Sequence, residues 1–264
     1  MSELVAVADG HEMGVVRQES ARITFTYSEA WRSAKEAYPL SLSMPLVAAH
    51  HGHAAIEPFL WGLLPDNELV LTRWAQKFQV SARNPFALIS HVGEDCAGAV
   101  QFVRPERVAQ LEAGDREVDW LTEEDISERL RAVLQDASAG RIPRDTGQFS
   151  LAGAQPKTAL LYDGKKWGVP SGRTPTTHIL KPSTREFEGH AENEHICLSL
   201  ARSMGLPTAR SEVRAFGDVT AIVVARYDRT SSPDIRRVHQ EDMCQALRVH
   251  PARKYQNDGG PGPR

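Results

Sequence analysis

The run Ser150-Leu-Ala-Gly-Ala-Gln-Pro-Lys157 joins small residues to a lysine, a combination suited to holding phosphate. Alanine and glycine let backbone N–H groups come close to phosphate oxygens, and Lys157 adds a compact positive charge. Further along, Lys181 ends the apolar run His178-Ile-Leu-Lys181, where an ammonium group is poorly solvated unless an anion pairs with it. Glu194, in the segment that follows, carries the charge for that pairing, and Glu192 competes with it. Val223-Val-Ala-Arg-Tyr227 can offer backbone N–H and C=O groups to a planar base whatever its side chains are. Taken singly, the loop reads as an ordinary turn and Lys181 as a surface charge. Their order along the chain is what points to a nucleotide.

Other candidate constellations reduce to structure. His50, His51 and His53 lie in a loop with no carboxylate or cysteine at ligand spacing, so they read as solvated side chains and no metal site is expected. The run His190-Ala-Glu-Asn-Glu-His195 is one residue longer than an inverted zinc-protease motif. Asp9-Gly10-His11 falls in a hairpin turn. Neither a G-x-S-x-G elbow nor a Walker loop occurs.

The elements that must position these residues follow from periodicity. Leu4–Val7, Val15-Val16 and the period-two set Ile23, Phe25 and Tyr27 predict a hairpin plus a third strand. Residues 39–65 are apolar but broken by prolines and glycines, which predicts a short strand or loop with a short helix; Asn84-Pro85 opens another helix that stops at Gly93. Thr122-Glu-Glu-Asp125 resembles a capping motif, and Ile126, Leu130, Val133 and Leu134 share one stripe, so 122–136 is expected to be an amphipathic helix. Strands are expected at 159–162 and 166–169 around the turn Asp163-Gly164, then at 178–181. A helix over 190–204, with Ile196, Leu200 and Met204 in register and Gly205 as its stop, precedes a hairpin at 213–225. Strand, strand, strand, helix, strand, strand is the order of the smaller lobe of protein kinases: a phosphate-covering turn, a lysine on the third strand, a helix beside it, then strands leading to the adenine hinge.

Composition excludes little beyond this. A chain of 264 residues with 41% hydrophobic and 25% charged residues is globular in type, and a net charge of −3 gives no general attraction to polyanions. Cys96, Cys197 and Cys244 match no metal-ligand or disulfide spacing, which favours a reducing compartment. The start lacks a basic, then apolar leader, and no later stretch reaches the roughly 20 apolar residues needed to span a bilayer. A cytoplasmic protein without membrane contact is expected.

The segments SLAGAQPKTALL, TPTTHILKP, ENEHICLSLAR, ARYDR, HQEDMCQAL and KYQNDGGPG, with PLSLSMPL, LLPDN and Gly98-Ala-Val100 upstream, resemble the HipA family, the kinase toxins of bacterial toxin–antitoxin pairs. The resemblance implies an α+β chain: a small N-terminal α/β subdomain over 1–110, then a protein-kinase-like N-lobe over 111–264. It implies ATP- and magnesium-dependent phosphorylation of a protein on serine or threonine, typically a translation factor such as an aminoacyl-tRNA synthetase. A helix-turn-helix, HipB-like antitoxin would be the partner, with DNA reached only through it. Carried onto this sequence, the ATP-binding residues are Ala152, Gly153, Ala154, Gln155, Pro156, Lys157, Lys181, Ala225, Arg226 and Tyr227. Glu194 stays the candidate partner of that lysine, with Glu192 competing, and Ser150 matches the family's autophosphorylated serine. A phosphate on Ser150 would add about −1.5 to −2 charge beside the ATP phosphates and repel them.

The sequence departs from the family pattern at three points. Pro156 stands where the family usually has glutamate, so one backbone donor to phosphate is missing. Ala225 stands where a family member can have glutamate, a change that a backbone contact survives. The family's helical lobe, with its D-G-H-x-K-N-type catalytic loop and magnesium-binding aspartate, has no counterpart after Gly259-Gly-Pro-Gly262. The expectation is therefore a C-terminally truncated member with no catalytic aspartate, inactive alone. An antitoxin-binding module or decoy, or a nonfunctional gene remnant, are the alternatives.

Overall fold

The computed structural model describes the chain apart from residues 113–116, 137–149, 185–188, 231–234 and 263–264. It forms two compact units, each with its own antiparallel sheet. The first gathers Met1–Asp115, Gln148–Gly153 and His239–Arg264; the second gathers Arg116–Gly147 and Ala154–Val238.

In the first unit, β1 (Ser2–Ala8), β2 (His11–Glu19), β3 (Arg22–Tyr27), the two-residue β4 (His50–His51) and β5 (Val100–Val103) form a sheet in the order β4-β3-β2-β1-β5. The turn between β1 and β2 uses Asp9 and Gly10, both at positive φ, as a tight hairpin requires. Alternation buries Ile23, Phe25 and Tyr27. The short α1 (Glu29–Ser33) follows β3, the proline-broken stretch resolves into β4 and α2 (His53–Gly62), and α4 (Pro85–Val92) starts where expected, with the Asn84 side chain accepting from Ala87 N. The expected elements do not include α3 (Glu68–Phe78), whose first turn is capped by the Asn67 carboxamide, or α5 (Pro105–Glu112).

Hydrogen bonds explain why residues 239–264 join this unit. Glu241 accepts from Ser41 Oγ at 2.5 Å and from Leu42 N at 2.8 Å, and Gln245 Nε2 donates to Phe59 O at 2.9 Å. Gln245, on α8 (Met243–Leu247), is buried, so these are bonds that water does not replace at no cost.

The second unit carries a six-stranded sheet in the order β10-β11-β9-β7-β8-β6. Its strands are β6 (Val118–Leu121), β7 (Thr158–Tyr162), β8 (Trp167–Pro170), β9 (His178–Pro182), β10 (Ser211–Phe216) and β11 (Val219–Ala225). β6 falls outside the strands expected above, and it pairs with β8. The turn between β7 and β8 is looser than the two-residue form expected: of its residues only Gly164 has positive φ, while Asp163 Oδ1 accepts from Lys165 N and Lys166 N.

Two helices flank this sheet. α6 (Glu123–Gln135) begins with a reciprocal capping box between Thr122 and Asp125 and buries Ile126 and Leu130 against Leu160, Trp167 and Leu180. α7 (His190–Ser203) starts where the sequence places it, but its expected stripe does not point inward. Ile196, Leu200 and Met204 are 61%, 58% and 71% exposed, and Ala191 is the helix's one buried residue. Among the described residues no helix is long and apolar enough to cross a membrane.

Candidate functional site: a lysine–glutamate pair beside a small-residue loop

Lys181 sits near the end of β9, opposite Ile222 of β11. Alternation along β9 sends Leu180 into the core beneath α6 and Lys181 to the opposite face. There Lys181 Nζ meets Glu194 Oε1 at 2.7 Å, with the two side chains 20% and 25% exposed. Glu192, the competing carboxylate, is exposed. α7 is held to the sheet near the pair by His195 Nδ1 and Ser211 Oγ at 3.0 Å. A half-buried ammonium group with one carboxylate partner keeps two N–H donors for other acceptors, which is what a lysine needs to bridge a carboxylate and a phosphate.

The small-residue loop straddles the division of the chain. Ser150, Ala152 and Gly153 group with the first unit, and Ala154, Gln155, Pro156 and Lys157 with the second. Gly153 has φ of 102°, a backbone conformation that side chains resist. Ala152, Ala154 and Gln155 are exposed and Pro156 and Lys157 half-buried. Gln155 Nε2 contacts His190 Nε2 at the first residue of α7, so that helix carries groups facing both the loop and Lys181. Ser150 is fully buried: its N–H donates to Asp95 O at 3.1 Å and its hydroxyl to Leu63 O at 2.7 Å. A kinase could reach that hydroxyl only after both bonds open.

Ala225, the last residue of β11, and Arg226 and Tyr227 after it line a cavity of about 530 Å³ with Tyr162, His178 and Arg210. Lys157 and Lys181 are not among its walls. His178 alternates away from Lys181 along β9, and burial pushes its imidazole pKa down to about 4, so it is neutral near pH 7. The structure thus joins Lys181 to Glu194 and Gln155 to His190, and sets Ala225–Tyr227 at the far end of β9 from Lys181.

Sequence reasoning missed the network just past β11. Arg226, Asp228 and Arg229 are all buried, and Arg226 donates to Asp228 through Nε at 3.0 Å and Nη2 at 2.7 Å. The signal was present as arginines flanking an aspartate directly after an apolar strand. Among the described residues no group of three or more His, Cys, Asp or Glu that could hold a metal ion comes together.

Comparison with known proteins follows the same outline. Residues 4–103 match the model of the HipA N-terminal domain and residues 149–262 that of the HipA-like C-terminal domain. The chain belongs to the HipA family. It is 39% identical to the Sinorhizobium fredii protein Y4mE over 260 residues, covering 96% of this chain and 61% of that one. It is 32% identical over 241 residues to the serine/threonine-protein kinase toxin HipA of Shewanella oneidensis, covering 89% of this chain and 52% of the relative. The chain thus spans between half and two thirds of the length of these HipA relatives. The solved complex of Shewanella oneidensis MR-1 HipA with HipB and operator DNA superposes with a TM-score of 0.78 at 29% identity, over 98% of this chain and 59% of the solved one.

Proposed function

We propose that these residues form the nucleotide-facing part of a HipA-type protein serine/threonine kinase. In this reading the chain comprises an N-terminal subdomain over 1–110 and a kinase-like N-lobe over 111–264. Ala152–Lys157 hold the ATP phosphates, Lys181 pairs with them while Glu194 orients it, and the Ala225–Tyr227 backbone reads the base. The observation that carries the proposal is the Lys181–Glu194 pair at 2.7 Å, on a third strand and the following helix in the kinase order. The phosphoryl acceptor would be a translation-related protein, and Ser150 the site of self-modification. Phosphoryl transfer needs a positioned catalytic carboxylate and metal-binding carboxylates. The 264 residues contain no D-G-H-x-K-N-type loop, so ATP binding without turnover is expected of this chain alone.

Calorimetric titration with ATP tests it. Saturable binding weakened roughly ten-fold or more by Lys181→Ala is the expected result; no binding at millimolar ATP would overturn the assignment. Robust phosphorylation of Ser150 by the purified chain would overturn the absence of turnover.

A second reading, binding of a helix-turn-helix antitoxin without catalysis, is favoured by the likeness to a HipA solved with HipB and operator DNA. It predicts that the chain co-purifies with such an antitoxin in the absence of ATP, any DNA association being indirect. Failure to co-purify at micromolar concentrations would remove it.

A further inference from the structure

We propose that Asp228 is a positioning residue for base recognition. By clamping Arg226 and Arg229 on either side of Tyr227, it presents the Tyr227 backbone N–H to a purine bound at Ala225–Tyr227. The inference rests on the nucleotide reading above.

An accounting of the backbone donors starts it. Buried or not, each N–H in this segment must find an acceptor in protein, solvent or ligand. Ala225 N donates to Arg210 O at 2.8 Å and Arg226 N donates to Thr177 O at 2.9 Å. Both amides are engaged by the protein. Among the described residues Tyr227 N has no protein acceptor, and Tyr227 is 73% exposed. A base at this segment therefore meets one available donor, and it belongs to Tyr227.

The residues around that donor are held from several directions. Asp228 is only 4% exposed, and besides its two bonds from Arg226 its carboxylate accepts from Arg229 Nη1 at 2.9 Å. Arg229 Nη1 also reaches the Asp228 carbonyl at 2.7 Å, and Val238 N donates to that same carbonyl at 2.9 Å. Both arginines continue to the segment before β9: Arg226 Nη1 donates to Thr176 Oγ1 and Arg229 Nε to Thr176 O, each at 3.0 Å. The pattern is buried, exposed, buried, buried over residues 226–229, with the exposed residue supplying the available N–H.

Burying three charges at a strand end is a poor way to gain stability, since a buried ionic group is often matched or bettered by apolar side chains of similar size. What such a network does supply is geometry: bidentate, planar guanidinium contacts fix the backbone that carries them. A fixed donor discriminates. Adenine presents a bare ring nitrogen at N1 that accepts from an N–H, whereas guanine presents an N–H there, leaving two donors facing each other.

The test uses the full chain and three probes: ATP, GTP and inorganic tripolyphosphate, which has no base. The wild type is expected to bind ATP roughly ten-fold or more tightly than GTP. Asp228→Asn should reduce that ratio to about three-fold or less while tripolyphosphate affinity stays within about two-fold, because the phosphate-holding residues are untouched. Thr176→Val removes one acceptor from Arg226 and keeps the ion pairs, so it should give an intermediate ratio, and it serves as the test if circular dichroism shows Asp228→Asn to be unfolded. A wild-type ATP/GTP ratio in the folded variant would overturn the role of Asp228. Wild-type protein that binds neither ATP nor tripolyphosphate would instead overturn the nucleotide reading beneath it.

Discussion

Glu194 holds Lys181 at 2.7 Å in a position where both side chains are mostly removed from water. Neutralising the carboxylate while keeping its shape should therefore show in stability as well as in binding. Glu194→Gln is expected to lower the unfolding free energy by about 1–2 kcal/mol in urea titrations, because a half-buried ammonium group loses its counter-charge. Replacing both residues by methionine should restore stability to within about 1 kcal/mol of wild type, as apolar pairs commonly substitute for buried ion pairs. ATP binding should be lost in the double variant. If the double variant is no more stable than Glu194→Gln, the pair is retained for folding and its place in a nucleotide site loses support. At this scale the sequence was readable as far as charge alone carries: Lys181 ends an apolar run, and Glu192 and Glu194 both stand on the next helix. It was unreadable at Ser150, whose small polar side chain gives no hint that Leu63 and Asp95 supply its acceptors, because those residues lie far away in the chain.

The elements carry two further tests. Thr122→Ala removes the hydroxyl that accepts from Asp125 N, breaks the capping box of α6, and is expected to cost about 1 kcal/mol. Gly168 on β8 lies beneath β6, and a Cβ there would sit 2.4 Å from Val118 Cγ1. Gly168→Ala should accordingly destabilise by about 1–3 kcal/mol in the same measurement, through overpacking. An unchanged midpoint in either variant would remove the corresponding account. The cap was legible in Thr122-Glu-Glu-Asp125 because capping is local. β6 was not, because its pairing with β8 is set by residues some fifty positions away and its own four residues, Val118–Leu121, are too few to establish a period. α7 shows the limit of periodicity itself. The spacing of Ile196, Leu200 and Met204 identified a helix, yet that stripe is exposed and the contacts to the sheet come from other positions, such as His195.

For the molecule as a whole, pH gives the clearest handle. His178 is half-buried beside Tyr162 and Trp167, and desolvation there lowers its pKa from 6.5 to about 4 in the folded state. A lowered folded pKa means that the unfolded chain takes up the proton first: the contribution is complete above about pH 6.5 and drains away as the pH falls toward 4. Between about pH 7.5 and 4.5 the wild type should lose on the order of 2 kcal/mol more stability than His178→Gln, measured by urea unfolding at each pH. Parallel pH profiles for the two proteins would sink the assignment. Sequence by itself determined the family, the strand and helix order of residues 158–225, and the small-residue loop with Lys157 followed by Lys181 on a strand, because turn chemistry, alternation and motif order are local properties of the chain. Only tertiary structure decided that Glu194 pairs with Lys181, that residues 239–264 fold onto the N-terminal sheet's unit through Glu241 and Gln245, and that Asp228 locks the segment after β11. Each of those depends on which distant groups burial brings within hydrogen-bond reach, and no local spacing in the chain encodes that distance.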